Sequence, residues 1–530
     1  ARRQGPARAA SGGSGRDGGG GADGDGHRGG ADATGRAVVY SIAPSPVRDG
    51  EIWAGTDNGR VQLTLDEGKT WREVTPPGLA EWSMVSLIAA SRYDAGTAYV
   101  AIDRHQMDDL RPYALRTRDF GKSWTPIVAG IAETAYVHAV REDPVRRGML
   151  FAGTESGVYV SFDDGDRWQP LQLNLPAASV RDLAVHGDDL IAATHGRSFW
   201  VLDGLATLRQ LDAAAIASPL HLFTPAPALR KRRGENRDTP LPPETPAGSN
   251  PPAGAAIDYW LAAEPDGEVT LEVFDERGER VRRFASGDPV RQPEDVATYT
   301  ISWLRPAAPL ARQAGLHRFV WDLRYPPPPT LRPRASMDAV FGEDTPFEPE
   351  GPLVLPGTYR LRLTAGGHSA TASLRVVPDP RVEVPAAALA AQLALARRID
   401  AATAESYQAV QQLREVARQL AALAPDRELT AAVAALRGKV DALVGREPDF
   451  PPVPEKEPSF TVVHTGLAAL AINVGTGDAA PTAQATAAFA AWRAQLDRAL
   501  AAWAAVRATD LPALNRRLAA QGRHGVDVPP

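Results

Sequence analysis

Three stretches of this chain close on nearly the same eight residues: TLDEGKTW (Thr64 to Trp71), TRDFGKSW (Thr117 to Trp124) and SFDDGDRW (Ser161 to Trp168). The residue types account for the shared shape. The carboxylates of Asp66, Asp119 and Asp163 can accept bonds from backbone N–H groups inside the turn. Gly68, Gly121 and Gly165 can take a left-handed conformation, and Trp71, Trp124 and Trp168 supply rings to pack between neighbouring sheets. Two strands precede every copy. The first strands read VVYSIA from Val38, MVSLIA from Met84, YVHAV from Tyr136 and SVRDLAV from Ser179; the second read EIWAGT from Glu51, TAYVAI from Thr97, MLFAGT from Met149 and LIAAT from Leu190. A repeat of about 45 to 50 residues made of short strands and a closing hairpin is the size of one four-stranded propeller blade. Residues 37–225 are therefore read as four blades. The fourth unit ends at FWVLDG (Phe199 to Gly204) without the closing tryptophan, as a terminal blade would.

The remainder divides by composition. Residues 1–36 are Gly-rich with almost nothing apolar, and such a lead cannot bury enough surface to offset its ordering entropy, so disorder is expected. Residues 226–256 are rich in Pro and charge and read as a linker. From 257 to 381 the chain alternates again, in Val269 to Phe284, Ala314 to Tyr325 and Pro356 to Gly367, which predicts an Ig-like β-sandwich with a long loop between Pro326 and Pro352. Residues 385–530 turn helical: Leu429, Val433, Leu436, Val440 and Leu443 keep a 4-3-4-3 spacing, and Phe489, Trp492, Leu496, Trp503 and Val506 follow it in outline. Pro425 and the prolines of the 450s separate helices, Asp478 to Gln484 supplies turn and cap residues, and Asp510 with Pro512 reads as the cap of a last helix closed by Gly522. The fold class expected is mainly β, a propeller followed by a sandwich and a helical bundle.

The turn resembles the Asp-box, or BNR, repeat of sialidases, sortilin-type ectodomains and xyloglucanase-type glycoside hydrolases. From the blades through the sandwich to TDLPALNRRLAAQG (Thr509 to Gly522), nearly everything after residue 36 resembles the C-terminal portion of bacterial exported BNR-repeat, sortilin-like "glycosyl hydrolases". The resemblance implies a secreted or periplasmic protein that recognises or cleaves a polymer. It also implies more than four blades. Because an open sheet edge is a liability, further N-terminal blades of the same protein are expected to complete the ring.

Composition narrows the partners. A formal charge of -6 leaves no basic excess for a phosphate backbone, so nucleic acid is excluded as a partner. No run of about 18 apolar residues occurs, hence no membrane span is expected. With no cysteine there is neither a disulfide nor a thiolate nucleophile. The ten histidines are scattered without an HExxH pattern, and neither a phosphate-binding loop nor a GxSxG elbow is present, so no metal or cofactor is implied.

Chemistry is expected on one face. Consecutive hairpins of a blade lie on opposite faces of the disc, so if the aspartate turns join strands three and four, the turns between strands two and three cluster around the central channel. Those turns carry Asp57 and Asn58, then Asp103, Arg104 and His105, then Glu155 and Ser156, then His195 and Arg197. Asp57, Asp103 and Glu155 are the candidate carboxylates for glycoside hydrolysis, which uses a pair roughly 5 to 9.5 Å apart; alternatively they cap their own turns. Arg104 and Arg197 could hold a carboxylate or hydroxyl-rich ligand, or form local ion pairs. A sialidase-type site would need an arginine triad and a tyrosine paired with Glu. Tyr136 and Glu133 are neighbours in sequence, but no triad can be assigned. Trp53, Trp71, Trp124, Trp168 and Trp200 recur at repeat positions and are read as packing, while Trp82 lies outside the repeat and is the candidate ligand contact. Three functions follow: a recognition propeller for a glycan or peptide polymer, a glycoside hydrolase, or an assembly subunit pairing through its blade edges.

Overall fold

Each repeat unit becomes a four-stranded antiparallel sheet with its strands in sequence order. The first blade runs Val39–Pro44, Ile52–Thr56, Val61–Thr64, Arg72–Glu73; the second Met84–Ala90, Ala98–Asp103, Tyr113–Thr117, Thr125–Pro126; the third Val137–Glu142, Leu150–Thr154, Gly157–Ser161, Gln169–Pro170. The fourth, Ser179–His186, Asp189–His195 and Phe199–Leu202, takes its outermost strand from Arg2–Gln4. Those three residues depart from the disorder expected of the lead, whose residues 5–36 lie outside the described ones. The structure is a computed structural model describing residues 2–4, 37–232, 248, 251–290, 308–331, 334–335, 347–423, 429–446 and 458–529. It forms two units, 1–211 with 244–251, and 212–243 with 252–530.

The aspartate turns do what their residues predict. Asp66 accepts from the Thr70 backbone N–H at 2.9 Å and the Thr70 hydroxyl at 2.6 Å, Asp119 does the same with Ser123, and Asp163 accepts from the Arg167 N–H at 2.9 Å. These donors hold the Asp66 and Asp119 carboxyls down to about 2. The left-handed glycines are joined by left-handed Glu67, Phe120 and Asp164 just before them. The tryptophans reach back a blade: Trp124 Nε1 donates to Val74 O and Trp168 Nε1 to Ile127 O, each at 2.9 Å. Trp71, on the first of the described blades, bonds Gly68 O in its own turn.

Blades pack closely because the second strands carry small residues. A Cβ on Gly55 would lie 2.3 Å from the Val85 side chain, and one on Gly153 2.8 Å from Val180 O. The junction between the second and third blades is fastened most heavily. Tyr99 Oη donates to Asp164 at 2.5 Å and Glu142 at 3.2 Å, Arg116 pairs with Asp164 at 3.0 Å, and Glu142 accepts from Ser91 Oγ and Arg92 N. On the inner strands, Ser86 Oγ donates to His138 O at 2.9 Å.

In the second unit, a three-stranded sheet (Leu220–Leu222, Ala255–Leu261, Gly315–Trp321) faces a five-stranded one (Ala228–Arg230, His368–Pro378, Gly357–Ala365, Thr270–Phe274, Arg280–Ala285) across Trp321, Tyr259, Leu271 and Leu361. The sandwich therefore begins before residue 257. Two of its strands come from segments read above as blade and linker, too short for an alternating pattern to register. In the expected 326–352 loop, Arg334–Ala335 pairs with Phe347–Glu348, and residues 336–346 lie outside the described ones.

Helices Ala386–Ala422, Thr430–Val444, Phe460–Gly475, Ala483–Ala505 and Leu511–Ala520 form a bundle around Leu413, Phe460, Leu496 and Trp503. Pro425, Pro451, Pro452 and Pro454 lie outside the described residues, while Pro458 just precedes the helix Phe460–Gly475. Thr482 caps its helix by accepting from Ala485 N at 3.0 Å. Asp510, by contrast, is not a cap. The chain passes from Ala505 through a π-turn at Val506–Asp510 straight into the last helix, and the Asp510 carboxylate pairs with Lys439 at 2.9 Å. His464, buried in the bundle, accepts from Leu331 N at 3.1 Å, and its other nitrogen lies 2.9 Å from Ser406 Oγ.

Candidate functional site on the inner strands

The four inner strands share an irregularity. Register slips by one residue between Val39 and Ser41, Val85 and Leu87, Val137 and Ala139, and Val180 and Asp182, leaving Tyr40, Ser86, His138 and Arg181 as the extra residues of four equivalent bulges. Bulges re-aim a side chain out of the ladder. Beside them, at the ends of the second strands, stand Asp57, Asp103, Glu155 and His195 at equivalent positions.

His138 draws two of the predicted carboxylates together. Its Nε2 lies 3.0 Å from Glu155 Oε2, and its Nδ1 is 3.5 Å from Asp103 Oδ2. Ser179 Oγ donates to Glu155 Oε2 at 2.7 Å, and Arg181 comes within 3.7 Å of the same oxygen. Tyr136, also bonded to Glu155, stacks on His105 with ring centres 5.0 Å apart and meets His138 edge-on. Asp103 is buried. One oxygen accepts from His105 N at 2.9 Å and lies 2.6 Å from His105 Nδ1, while Oδ2 has no hydrogen-bond partner among the described residues.

The electrostatics follow from this wiring. Burial would raise the Glu155 carboxyl, but the bonds from Ser179, His138 and Tyr136, with the Arg181 charge, bring it down to about 2. Burial and the bond to Glu155 push the Tyr136 phenol up to about 12. Burial lowers His138, with Arg181 adding to it and the two carboxylates opposing. A neutral His138 whose proton sits on Nε2 donates to Glu155 and leaves Asp103 Oδ2 facing a lone pair, which matches the unpartnered oxygen.

The other predicted residues stand apart from this cluster. Asp57 accepts from Val38 N at 2.9 Å, tying its turn to the start of the first strand, and Asn58 accepts from Thr56 Oγ1 at 2.7 Å. Arg104 is committed to Asp109 at 3.2 Å and to Ser83 Oγ. His195 and Arg197 are exposed on the fourth blade. Trp82 is part-exposed and holds a φ of 61°, rare for a bulky residue, with its N–H on Asn58 O at 3.3 Å. Tyr136 pairs with Glu155, not with its sequence neighbour Glu133. Sequence reasoning missed His138, Ser179 and Arg181 because it searched the turns; the signal was their shared position near the start of each first strand.

No family model matches this chain. Nor does any curated protein. Among solved structures, YCF48 bound to D1 peptide is 18% identical over 32% of this chain and 52% of that chain, with a TM-score of 0.26. YCF48 from Cyanidioschyzon merolae is 22% identical over 32% and 53%, TM-score 0.25, and an ancestral GH74 enzyme is 15% identical over 62% and 48%, TM-score 0.26. The chain spans about half the length of each of these three structures. The propeller is read from its own strands and registers.

Proposed function

We propose that this is an extracytoplasmic propeller protein that binds a glycan or peptide polymer on the face carrying Tyr136, His105, Glu155 and Arg181. The observation that carries this reading is Glu155, a part-exposed carboxylate fastened by three donors and ionised down to about 2. Fixed acceptors beside a stacked ring pair suit hydroxyl or amide groups, and holding them in advance lowers the cost of ordering on binding. Trp82 adds a flat surface on the neighbouring turn. Hydrolysis is less well supported, because Glu155 carries no proton for a leaving group near neutral pH and a histidine occupies the space between the two carboxylates. The expectation of further blades rests on the uncovered Val39 and Ile42 of the first blade.

Retention on a panel of immobilised polysaccharides, xyloglucan included, and of peptides tests the reading, alongside reducing-sugar release. Binding without release is expected, weakened tenfold or more by Glu155→Gln and unchanged by Asp57→Ala. Release that Glu155→Gln or Asp103→Asn abolishes would make the protein a glycosidase instead.

A further inference from the structure

A buried carboxylate oxygen beside His138 lacks a donor. Asp103 is 2% exposed, and its Oδ2 has no hydrogen-bond partner among the described residues, although His138 Nδ1 stands 3.5 Å away. An acceptor held out of water without a donor costs free energy, and a single proton would remove that cost. Neutral His138 cannot supply it. With its hydrogen on Nε2 it donates to Glu155 Oε2 at 3.0 Å and turns a lone pair toward Asp103. The imidazolium carries a hydrogen on each nitrogen and can serve both acids at once. Three blades contribute the groups that face this ring. From the second comes Asp103, whose other oxygen holds His105 through its N–H at 2.9 Å and Nδ1 at 2.6 Å. From the third come Glu155 and Tyr136, the latter edge-on with ring centres 5.0 Å apart. From the fourth come Ser179, with Oγ 3.4 Å from Nε2, and Arg181, 3.7 Å from Glu155 Oε2. While both imidazoles are neutral, two carboxylates and one guanidinium leave a single net negative charge, which one proton cancels. Burial and Arg181 oppose that proton and the carboxylates favour it, so it is taken up below the ordinary 6.5.

We propose that His138 is a proton-operated switch for this face: a proton taken at Nδ1 ties Asp103 to Glu155 through one ring and weakens the hold of the face on a ligand's hydroxyl, amide or ammonium donors, a regulation that rests on the binding reading of the same site. The proton acts on Glu155 directly, since a positive charge 3.0 Å from Oε2 competes with ligand donors for that carboxylate. It also reaches the stacked pair, because Asp103 then divides its charge between His138 and His105, and His105 lies against Tyr136. Linkage makes the effect reciprocal: a ligand bound to Glu155 lowers the proton affinity of His138 by the same factor.

NMR of the whole chain, isotope-labelled at histidine, reads the switch without any polymer, and His138→Gln identifies the resonance. At pH 8 the ring should carry its hydrogen on Nε2, and it should titrate below 6.5 as pH falls. Asp103→Asn should lower the midpoint by about one unit or more, because the amide supplies no charge to hold the second hydrogen. Arg181→Gln should raise it by removing a repelling cation, and this exposed position keeps the test intact if the buried substitution unfolds the propeller. A hydrogen on Nδ1 at pH 8, or a midpoint that a folded variant leaves in place, overturns the switch. The polymer retained at pH 8 should be held about fivefold or more weakly below the midpoint, and in Asp103→Asn that loss should move to lower pH. Equal retention on both sides of the midpoint overturns the switch and leaves the binding reading standing. No retention at any pH, while His138 titrates as described, sinks the binding reading and the gating with it.

Discussion

At the residue scale, the closing tryptophans show how one motif has different worth at different positions. Trp168 is buried against the second blade and bonded to Ile127 O, so Trp168→Ala should destabilise the propeller by about 3 to 5 kcal/mol. Trp71 is 45% exposed and bonds only its own turn, so Trp71→Ala should cost less than about 1 kcal/mol. Equal shifts in urea unfolding would contradict the packing described. The turn was legible in sequence because its Asp, Gly and Trp each answer a local demand. The left-handed Glu67, Phe120 and Asp164 were not, since no glycine or asparagine marks them. The same limit hid His138: a bulge shifts register by one residue without changing the run of apolar letters around it.

At the scale of elements, helices were legible through their spacing, and the failure at Asp510 has a physical reason. An Asp before Leu-Pro looks like a cap, yet the preceding turn continues through π geometry and the carboxylate is taken by Lys439. Thr482 is a true cap, and Thr482→Ala should cost about 1 kcal/mol. A buried and a half-buried group give the bundle opposed pH responses. Burial, with the nearby Arg414, lowers His464 to about 4, below the 6.5 of the unfolded chain. Its contribution is therefore complete above 6.5 and lost as pH falls toward 4, amounting to about 3 kcal/mol. Burial raises Asp400 from 3.8 to about 7, so its contribution is complete below 3.8 and lost as pH rises through 7. Thermal melts should show a smaller acid loss between pH 6.5 and 4.5 in His464→Gln, and a higher midpoint at pH 8 in Asp400→Asn. Unchanged pH slopes in both variants would rule out these assignments.

For the whole molecule, two units with separate cores predict two calorimetric transitions. Trp168→Ala should move one and His464→Gln the other; a single transition moved by both would mean that the units melt together. The architecture was legible because the repeat announces itself three times. The candidate cluster was half legible, since hairpin geometry named Asp103 and Glu155, which His138 draws together, but cross-blade partners such as His138 have no spacing in sequence. The blade junctions also differ in strength. The second and third blades are tied on the aspartate-turn side through Tyr99, Asp164 and Glu142, and on the inner strands through Ser86 and His138. In amide exchange that pair should behave as one slow cooperative unit, with protection in Val137–Glu142 outlasting that in Val39–Pro44. The candidate site straddles this slowest-opening seam, so partial opening of the arc at its outer blades would leave Asp103, His138 and Glu155 assembled.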